Sequence, residues 1–196
     1  MPIRTVILII ILTALTGVLV VLAINNEKKA AMDTQPSRAV DITTALEKNA
    51  EILFVPAAVT VASGSSKTTV DVLIDTKEHM VDGVQLELLY DPAVLSNVTI
   101  AIPQTNFFGA SGEFSNILNE VDNTRGRVSY WLGISPIAQS KQGRGLVAQI
   151  SFTINPNADV SQAVIEVLDR SMITESSTNT SVLANTAPLN ITVVRE

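Results

Sequence analysis

The sequence predicts an all-β fold, a jelly-roll β-sandwich of about nine strands, preceded by one N-terminal transmembrane helix. Two observations predict the sandwich: residues 51–196 contain short runs rich in Val, Ile and Thr with turn residues between them, and several runs alternate apolar and polar residues. One observation predicts the helix: apolar residues are concentrated in residues 3–24. A chain of 196 residues suits one domain of this kind with an extension.

The N-terminal apolar run has few polar side chains, namely Arg4, Thr5, Thr13 and Thr16. A helix over residues 3–24, at about 1.5 Å per residue, reaches roughly 33 Å and can cross a hydrocarbon core of about 30 Å. The run has no polar stripe, unlike a helix on the surface of a soluble protein. It is interpreted as an uncleaved signal anchor or, alternatively, as a signal peptide cleaved after residues 21–23.

The chain is predicted to consist of the transmembrane segment or signal peptide (1–24), a polar linker (25–50) and the sandwich domain (51–196). The positive charges do not decide the orientation, because Arg4 precedes the apolar run and Lys28 follows it with further basic residues. The sandwich looks like a secreted β-domain, so we expect it outside the cytoplasm. It is then anchored at the cell surface or, if the leader is cleaved, secreted.

The strands of the sandwich are predicted from alternation and from the turn residues between them. Their ranges are 52–61, 68–75, 83–90, 98–102, 127–133, 145–154, 163–168 and 189–194, with a further strand indicated around 172–173. Pro56 predicts an edge or a break in the first range, and Asp91 with Pro92 predicts a single turn after the third. Residues 103–123 are predicted to be irregular. Their aromatic rings are expected to close one end of the sandwich: Phe107, Phe108 and Phe114.

The composition excludes several functional classes. The chain has no Cys, which excludes a disulfide framework, a thiolate metal site and a Cys nucleophile. A net charge of −6 and a pI near 4.8 argue against nucleic acid as the main partner, and a single His argues against a Ser-His-Asp triad. Four residues lie close together without recognisable ligand spacing and are interpreted as a charged loop: Asp75, Glu78, His79 and Asp82. We therefore expect no catalytic residue, no cofactor and no metal in this chain.

One segment carries a family resemblance. Residues 81–95, VDGVQLELLYDPAVL, resemble the hallmark segment of bacterial cohesin domains. Other parts of the chain resemble further cohesin features in the same order: the opening strand at 53–56, the turn at Gly64, the second strand at 70–76, the aromatic pair Phe107-Phe108 and the later core strand at 145–152. The resemblance covers residues 52–194. Cellulose-binding modules are related sandwiches of the same superfamily.

The resemblance implies a nine-stranded jelly roll outside the cytoplasm that binds a protein through one flat sheet face. In cellulosome scaffolds the partner is a dockerin, a small calcium-loaded helical module of polysaccharide-degrading enzymes; this chain has no calcium-loop motif of its own. On the two strands that form the face in cohesins, the outward positions here are Gln85, Glu87, Ser129 and Trp131. The chain departs from the family at Gly83 and Gln85, where cohesins commonly carry Asp or Asn.

Alternation leaves the orientation of Trp131 open. Trp131 is exposed if Val128, Tyr130 and Leu132 point inward. If these three point outward instead, Trp131 belongs to the core. An exposed Trp on a sheet face is a plausible anchor for a partner.

The function expected from these features is a non-catalytic binding or scaffolding module that docks a dockerin-type protein, with a link to polysaccharide catabolism. Two alternatives are kept. A carbohydrate-binding module would contact polysaccharide, for which five Phe, two Tyr and one Trp supply few rings. A structural envelope subunit would polymerise by strand addition at an open sheet edge.

Overall fold

The structure, a computed structural model, describes residues 47–64 and 67–195, and within these ranges it contains twelve strands and no helix. They are β1 (Ala50–Val55), β2 (Ala58–Ala62), β3 (Thr68–Asp75), β4 (Val81–Tyr90), β5 (Leu95–Ala101), β6 (Phe114–Asp122), β7 (Arg127–Ile134), β8 (Arg144–Ile154), β9 (Gln162–Val167), β10 (Met172–Glu175), β11 (Leu183–Thr186) and β12 (Leu189–Val194). The described part of the chain thus offers no helix that could cross a bilayer. The predicted membrane segment and most of the predicted linker lie outside the described residues.

The strands form two sheets. The five-stranded sheet has the order β11-β1-β3-β8-β5. The seven-stranded sheet has the order β2-β12-β9-β4-β7-β6, and β10 pairs with β4 beyond the end of β9. Neighbouring strands are antiparallel except for β1 with β11 and β2 with β12. Two sheets around one core make a β-sandwich, so the predicted all-β sandwich is confirmed.

The core lies between the sheets and is built from alternating residues. On β4, Val84, Leu86 and Leu88 are completely buried, whereas Gln85 and Leu89 point the other way and are partly exposed. Burying one such aliphatic side chain stabilises the fold by about 1.5–3 kcal/mol relative to leaving it in water. The five-stranded sheet supplies the facing layer: Val70, Val72, Ile74, Ile150, Phe152 and Ile154.

Leu46–Glu196 form one compact unit. All twelve described strands and the buried hydrophobic cluster belong to it. A unit with its own complete core can fold without the rest of the chain. Residues 46–196 can therefore be studied as a domain.

The described residues contain more strands than predicted, for local reasons. Pro56 divides the first predicted strand, so that β1 and β2 belong to different sheets; proline has no N–H to continue a ladder. β6 occupies residues that were predicted to be irregular. It is an edge strand with six of its nine residues exposed, so its sequence lacks the alternation that marks a half-buried strand. The strand indicated around 172–173 is β10.

The turn predicted after β4 is present. The backbone carbonyl of Asp91 accepts hydrogen bonds from the N–H groups of Val94 (3.1 Å) and Leu95 (2.9 Å). Its carboxylate accepts a third from the N–H of Ala93 at 2.8 Å. β5 begins directly after this turn, earlier than predicted.

The three phenylalanines between β5 and β6 and at the start of β6 pack on the core, as expected. Phe108 is completely buried, and Phe107 and Phe114 are partly buried against the core. The rings of Phe107 and Phe108 meet edge to face, with centroids 5.1 Å apart.

Candidate functional site

The outer face of the seven-stranded sheet, meaning the side chains that point away from the core, contains all four residues predicted for partner binding. Gln85 lies opposite Trp131 and Glu87 lies opposite Ser129 in the ladder between β4 and β7. Residues directly opposite each other in antiparallel strands share a face, with Cβ atoms about 4.5–5.5 Å apart. Trp131 is 40% exposed while Tyr130 is buried, which decides the orientation that alternation left open.

Glu87 points to the outer face, but its carboxylate is covered. The residue is 5% exposed. Its Oε1 accepts a hydrogen bond from Gln85 Nε2 (3.1 Å), and its Oε2 accepts from Ser129 Oγ (2.9 Å) and from Arg170 Nη2 (2.8 Å). We call these four residues the Glu87 cluster. The carboxylate is thus bonded by its neighbours, and the place of Glu87 in the partner-binding face stays a prediction.

Arg170 is a residue that the sequence did not single out. It lies in the connection between β9 and β10, which is held against β4 by the backbone of Glu87. Leu168 N–H donates to the Glu87 carbonyl (2.8 Å), and Glu87 N–H donates to Ser171 Oγ (3.0 Å). These bonds place Arg170 beside the Glu87 carboxylate, with 53% of its side chain exposed. Nothing in the local sequence indicates this pairing, because the two residues lie far apart along the chain.

Three large apolar residues, Ile117, Leu118 and Trp131, form an exposed group that we call the Trp131 patch. Leu118 lies opposite Trp131 in the ladder between β6 and β7, and Ile117 lies in the irregularity just before it. The exposed fractions of Ile117, Leu118 and Trp131 are 52%, 38% and 40%. Sequence reasoning missed the first two because they belong to the strand that was not predicted.

Two glycines lie beneath this patch. Gly83 and Gly133 face each other on β4 and β7. A Cβ atom at Gly133 would lie 3.0 Å from Ile117 Cδ1, and one at Gly83 would lie 3.6 Å from Trp131 Nε1. The missing side chains therefore let Ile117 and Trp131 lie close to the backbone of the sheet.

A second apolar area lies on β4 and β9. Leu89 is partly exposed and Val164 is 37% exposed. They border a shallow groove together with Tyr90, Asp91 and Glu166. The Glu87 cluster lies between this area and the Trp131 patch, so polar groups at the centre of the face have apolar surface on both sides.

The residues predicted as a charged loop do not converge on one point: Asp75, Glu78, His79 and Asp82. Lys77 Nζ donates to Asp75 (2.9 Å) and holds the pKa of that carboxyl below its usual value. Asn49 Nδ2 donates to Glu78 (2.7 Å), which likewise lowers the pKa of Glu78. The His79 ring is buried, with Nε2 3.0 Å from a backbone carbonyl oxygen. Across residues 47–64 and 67–195, no three His, Cys, Asp or Glu side chains are grouped as a metal site.

Two asparagines connect the β6 edge to β5. Asn119 Nδ2 donates to the Ile100 carbonyl (3.4 Å). Asn123 Nδ2 donates to the Val98 carbonyl (3.4 Å), and its Oδ1 accepts from the Val98 N–H (3.1 Å). Backbone groups of β5 that are bonded to side chains cannot pair with an added strand, so the edge of β5 is a poor template for polymerisation.

Comparison with known proteins identifies the fold. No family model matches the chain, and no curated protein matches its sequence. Solved cohesin domains do match in structure. The third ScaC cohesin from Acetivibrio cellulolyticus, solved with the ScaB dockerin, aligns with a TM-score of 0.58 and 14% identity over 74% of this chain and 99% of that chain.

Two further cohesins agree. CaCohA2 from Clostridium acetobutylicum aligns with a TM-score of 0.58 and 18% identity over 76% of this chain and 92% of that chain. The OlpC cohesin from Clostridium thermocellum, solved with Doc435, aligns with a TM-score of 0.58 and 12% identity over 77% of this chain and 97% of that chain. At these identities the similarity shows the fold, so the expected cohesin-like sandwich is confirmed at that level.

Proposed function

We propose that this chain is a non-catalytic docking module that binds a protein through the outer face of the seven-stranded sheet. Its fold supports this, because two of the cohesins above were solved in complexes with dockerins. The observation that carries the proposal is the Trp131 patch. A Trp and two large aliphatic side chains exposed side by side on a flat face are typical of a surface that a partner covers.

The partner proposed for this face is a dockerin-type module of a polysaccharide-degrading enzyme. In the family that the chain resembles, the calcium ions belong to the dockerin. We therefore expect binding to require calcium even though the domain itself is expected to hold none. Removing calcium with a chelator should abolish complex formation without changing the melting temperature of the isolated domain. Binding that persists in chelator would contradict a dockerin-type partner.

We also propose that the domain lies outside the cytoplasm and is tethered by the N-terminal apolar run. The length and uniform apolarity of residues 3–24 support this. In intact cells that produce the full chain, an externally added protease should digest the domain, and washing with carbonate should leave the chain in the membrane fraction. Protection of the domain in intact cells would contradict the location. Release into the medium would indicate a cleaved leader.

The docking proposal is tested by photo-crosslinking in the cells that produce the protein. A photoreactive phenylalanine analogue replaces Leu118, on the outer face of the seven-stranded sheet. The matched control carries it at Thr99, an exposed residue of β5 in the other sheet. A protein adduct from position 118 but not from position 99, weakened by Trp131→Ala, is the expected result. Equal adducts from both positions, or none from position 118, would reject this face.

The same experiment separates the alternative functions. A carbohydrate-binding module predicts adducts to polysaccharide, which contain no partner peptides. A polymerising envelope subunit predicts adducts between copies of this chain. The bonds from Asn119 and Asn123 occupy backbone groups of β5, which argues against strand addition at that edge.

A further inference from the structure

Arg170 is a cation of the outer face, and its position is set by a covered anion. Both carboxylate oxygens of Glu87 accept hydrogen bonds, so the carboxylate is held in place. A guanidinium group has five N–H donors. Among the described residues, the side chain of Arg170 bonds to Glu87 alone, and about half of that side chain is exposed. The arginine therefore presents donors to the solvent at the centre of the proposed docking face.

We propose that Arg170 is a specificity-determining residue of this face and that it selects a protein segment carrying a carboxylate between apolar side chains. Glu87 acts as its positioning residue. This inference rests on the proposed docking function. The planar fork of a guanidinium matches a carboxylate, and arginine is among the residues that contribute most to binding at interfaces. The apolar side chains of the partner would lie on the Trp131 patch and on Leu89 with Val164.

The surrounding charges make this position selective. Exposed carboxylates flank the cluster on β6 and β9, at Glu120 and Glu166. Arg127, an exposed cation at the start of β7, lies opposite Leu89 and Asp122, and the Asp122 carboxylate forms an ion pair with Arg125 at 3.7 Å. An acidic residue of a partner would therefore be repelled by Glu120 and Glu166 beside the cluster and attracted by Arg170 within it. The partner is expected to carry one acidic residue within a neutral or basic surface.

The test uses residues 46–196 and a displayed library of helical hairpins with one randomised surface. Binders are selected against the wild-type domain, and those that still bind the Trp131→Ala variant are discarded. The affinities of the remaining binders are measured for Arg170→Gln, for Glu87→Gln and for Arg125→Gln. Arg125 lies in the turn between β6 and β7 and its side chain is 79% exposed. The Arg125→Gln variant is the matched control, because it also removes one positive charge. Thermal melting verifies that each variant is folded.

We expect the binders to share an acidic residue at one position, and Arg170→Gln to weaken them by about tenfold or more. Glu87→Gln should weaken them less, and Arg125→Gln should leave them unchanged. When the acidic residue of a binder is changed to its amide, the effects of Arg170→Gln and Glu87→Gln should both disappear. If Glu87 had only a structural role, Glu87→Gln would weaken a binder equally whether that binder carried the acidic residue or its amide.

Two results would count against these ideas at different levels. Trp131-dependent binders that lack an acidic residue and tolerate Arg170→Gln would overturn the role of Arg170 and leave the docking face in place. Failure to obtain any Trp131-dependent binder would contradict the docking proposal itself.

Discussion

Backbone geometry at single residues decides where glycine is required. Gly126 has a φ of +65°, and a Cβ atom there would collide with the carbonyl oxygen of Tyr90, which precedes the turn after β4. The carbonyl of Gly126 also accepts the Tyr90 N–H at 2.9 Å. Gly112 has a φ of +99°, but a Cβ atom there would have no neighbour within 4 Å. A side chain at Gly112 would therefore cause backbone strain alone, whereas one at Gly126 would cause backbone strain and a steric collision.

Gly112→Ala is expected to lower the free energy of unfolding by about 1 kcal/mol, because alanine rarely adopts a positive φ. Gly126→Ala should cost about 2 kcal/mol or more, since it adds the collision with Tyr90 to the same strain. Urea denaturation of the two variants measures both values. Equal losses would show that the backbone around Gly126 relaxes freely.

The Glu87–Arg170 pair makes a second prediction for single residues. Glu87→Gln replaces one acceptor oxygen with an NH2 group that faces other donors, so we expect a loss of about 1–3 kcal/mol. Arg170→Gln leaves the covered carboxylate without its cation and should also destabilise the domain. A double-mutant cycle of unfolding free energies should give a loss for the double variant that is smaller than the sum of the two single losses. Strict additivity would mean that the two side chains do not interact.

Among the strands, β6 shows how an edge can be exposed and still protected. One of its faces contributes Leu118 to the Trp131 patch, and its Asn119 bonds to β5. Asn123, which directly follows the strand, also bonds to β5. Asn123 also accepts a hydrogen bond from the hydroxyl of Tyr90 at 2.9 Å. The strand is thus tied to both sheets, which keeps the patch in place and limits the open edge.

Asn123→Ala is expected to loosen this edge, because it removes the partners of the Val98 backbone groups and of the Tyr90 hydroxyl. Hydrogen exchange of β5 and β6 should become faster, and size-exclusion chromatography should show more self-association than in the wild type. The matched control is Asn116→Ala in β6, since the described structure shows no hydrogen bond from that exposed side chain. Identical behaviour of the two variants would reject the protective role of Asn123.

For the whole molecule, the carboxylate of Glu175 at the end of β10 makes the stability of the fold depend on pH. The Glu175 carboxylate accepts hydrogen bonds from the hydroxyls of Ser177 and Thr178, both at 2.8 Å. These bonds lower the pKa of Glu175 below its ordinary value of 4.5. A carboxylate with a lowered native pKa stabilises the fold above its unfolded pKa, and this contribution is lost as pH falls through the native pKa.

Glu175→Gln should therefore reduce the stability near neutral pH and flatten its decrease under acid. Between about pH 5 and about pH 3, the wild type is expected to lose more free energy of unfolding than this variant. Denaturant titrations at several pH values provide the measurement, with Glu120→Gln on the exposed edge strand as the control. A parallel decrease in the wild type and in Glu175→Gln would show that Glu175 does not contribute to acid sensitivity.

Much of the fold could be predicted because its strands are half buried. In β4 the apolar phase is unbroken, so the inward residues and the outward pair Gln85 and Glu87 followed from alternation. In β7 each phase contains one large aromatic residue, Tyr130 in one and Trp131 in the other, so alternation alone did not orient Trp131. β6 was missed because an edge strand exposed on both faces carries no alternation.

The all-β class, the turn at Asp91 and the outward position of Gln85 and Glu87 could be read from the amino-acid sequence alone. Those features depend on residues close together in the chain, and the period of two in a strand expresses them directly. The contact of Arg170 with Glu87, and the addition of Ile117 and Leu118 to the outer face by β6, became visible in the folded domain. Contacts between distant segments depend on which strands pair and in which register, and no local pattern encodes that choice.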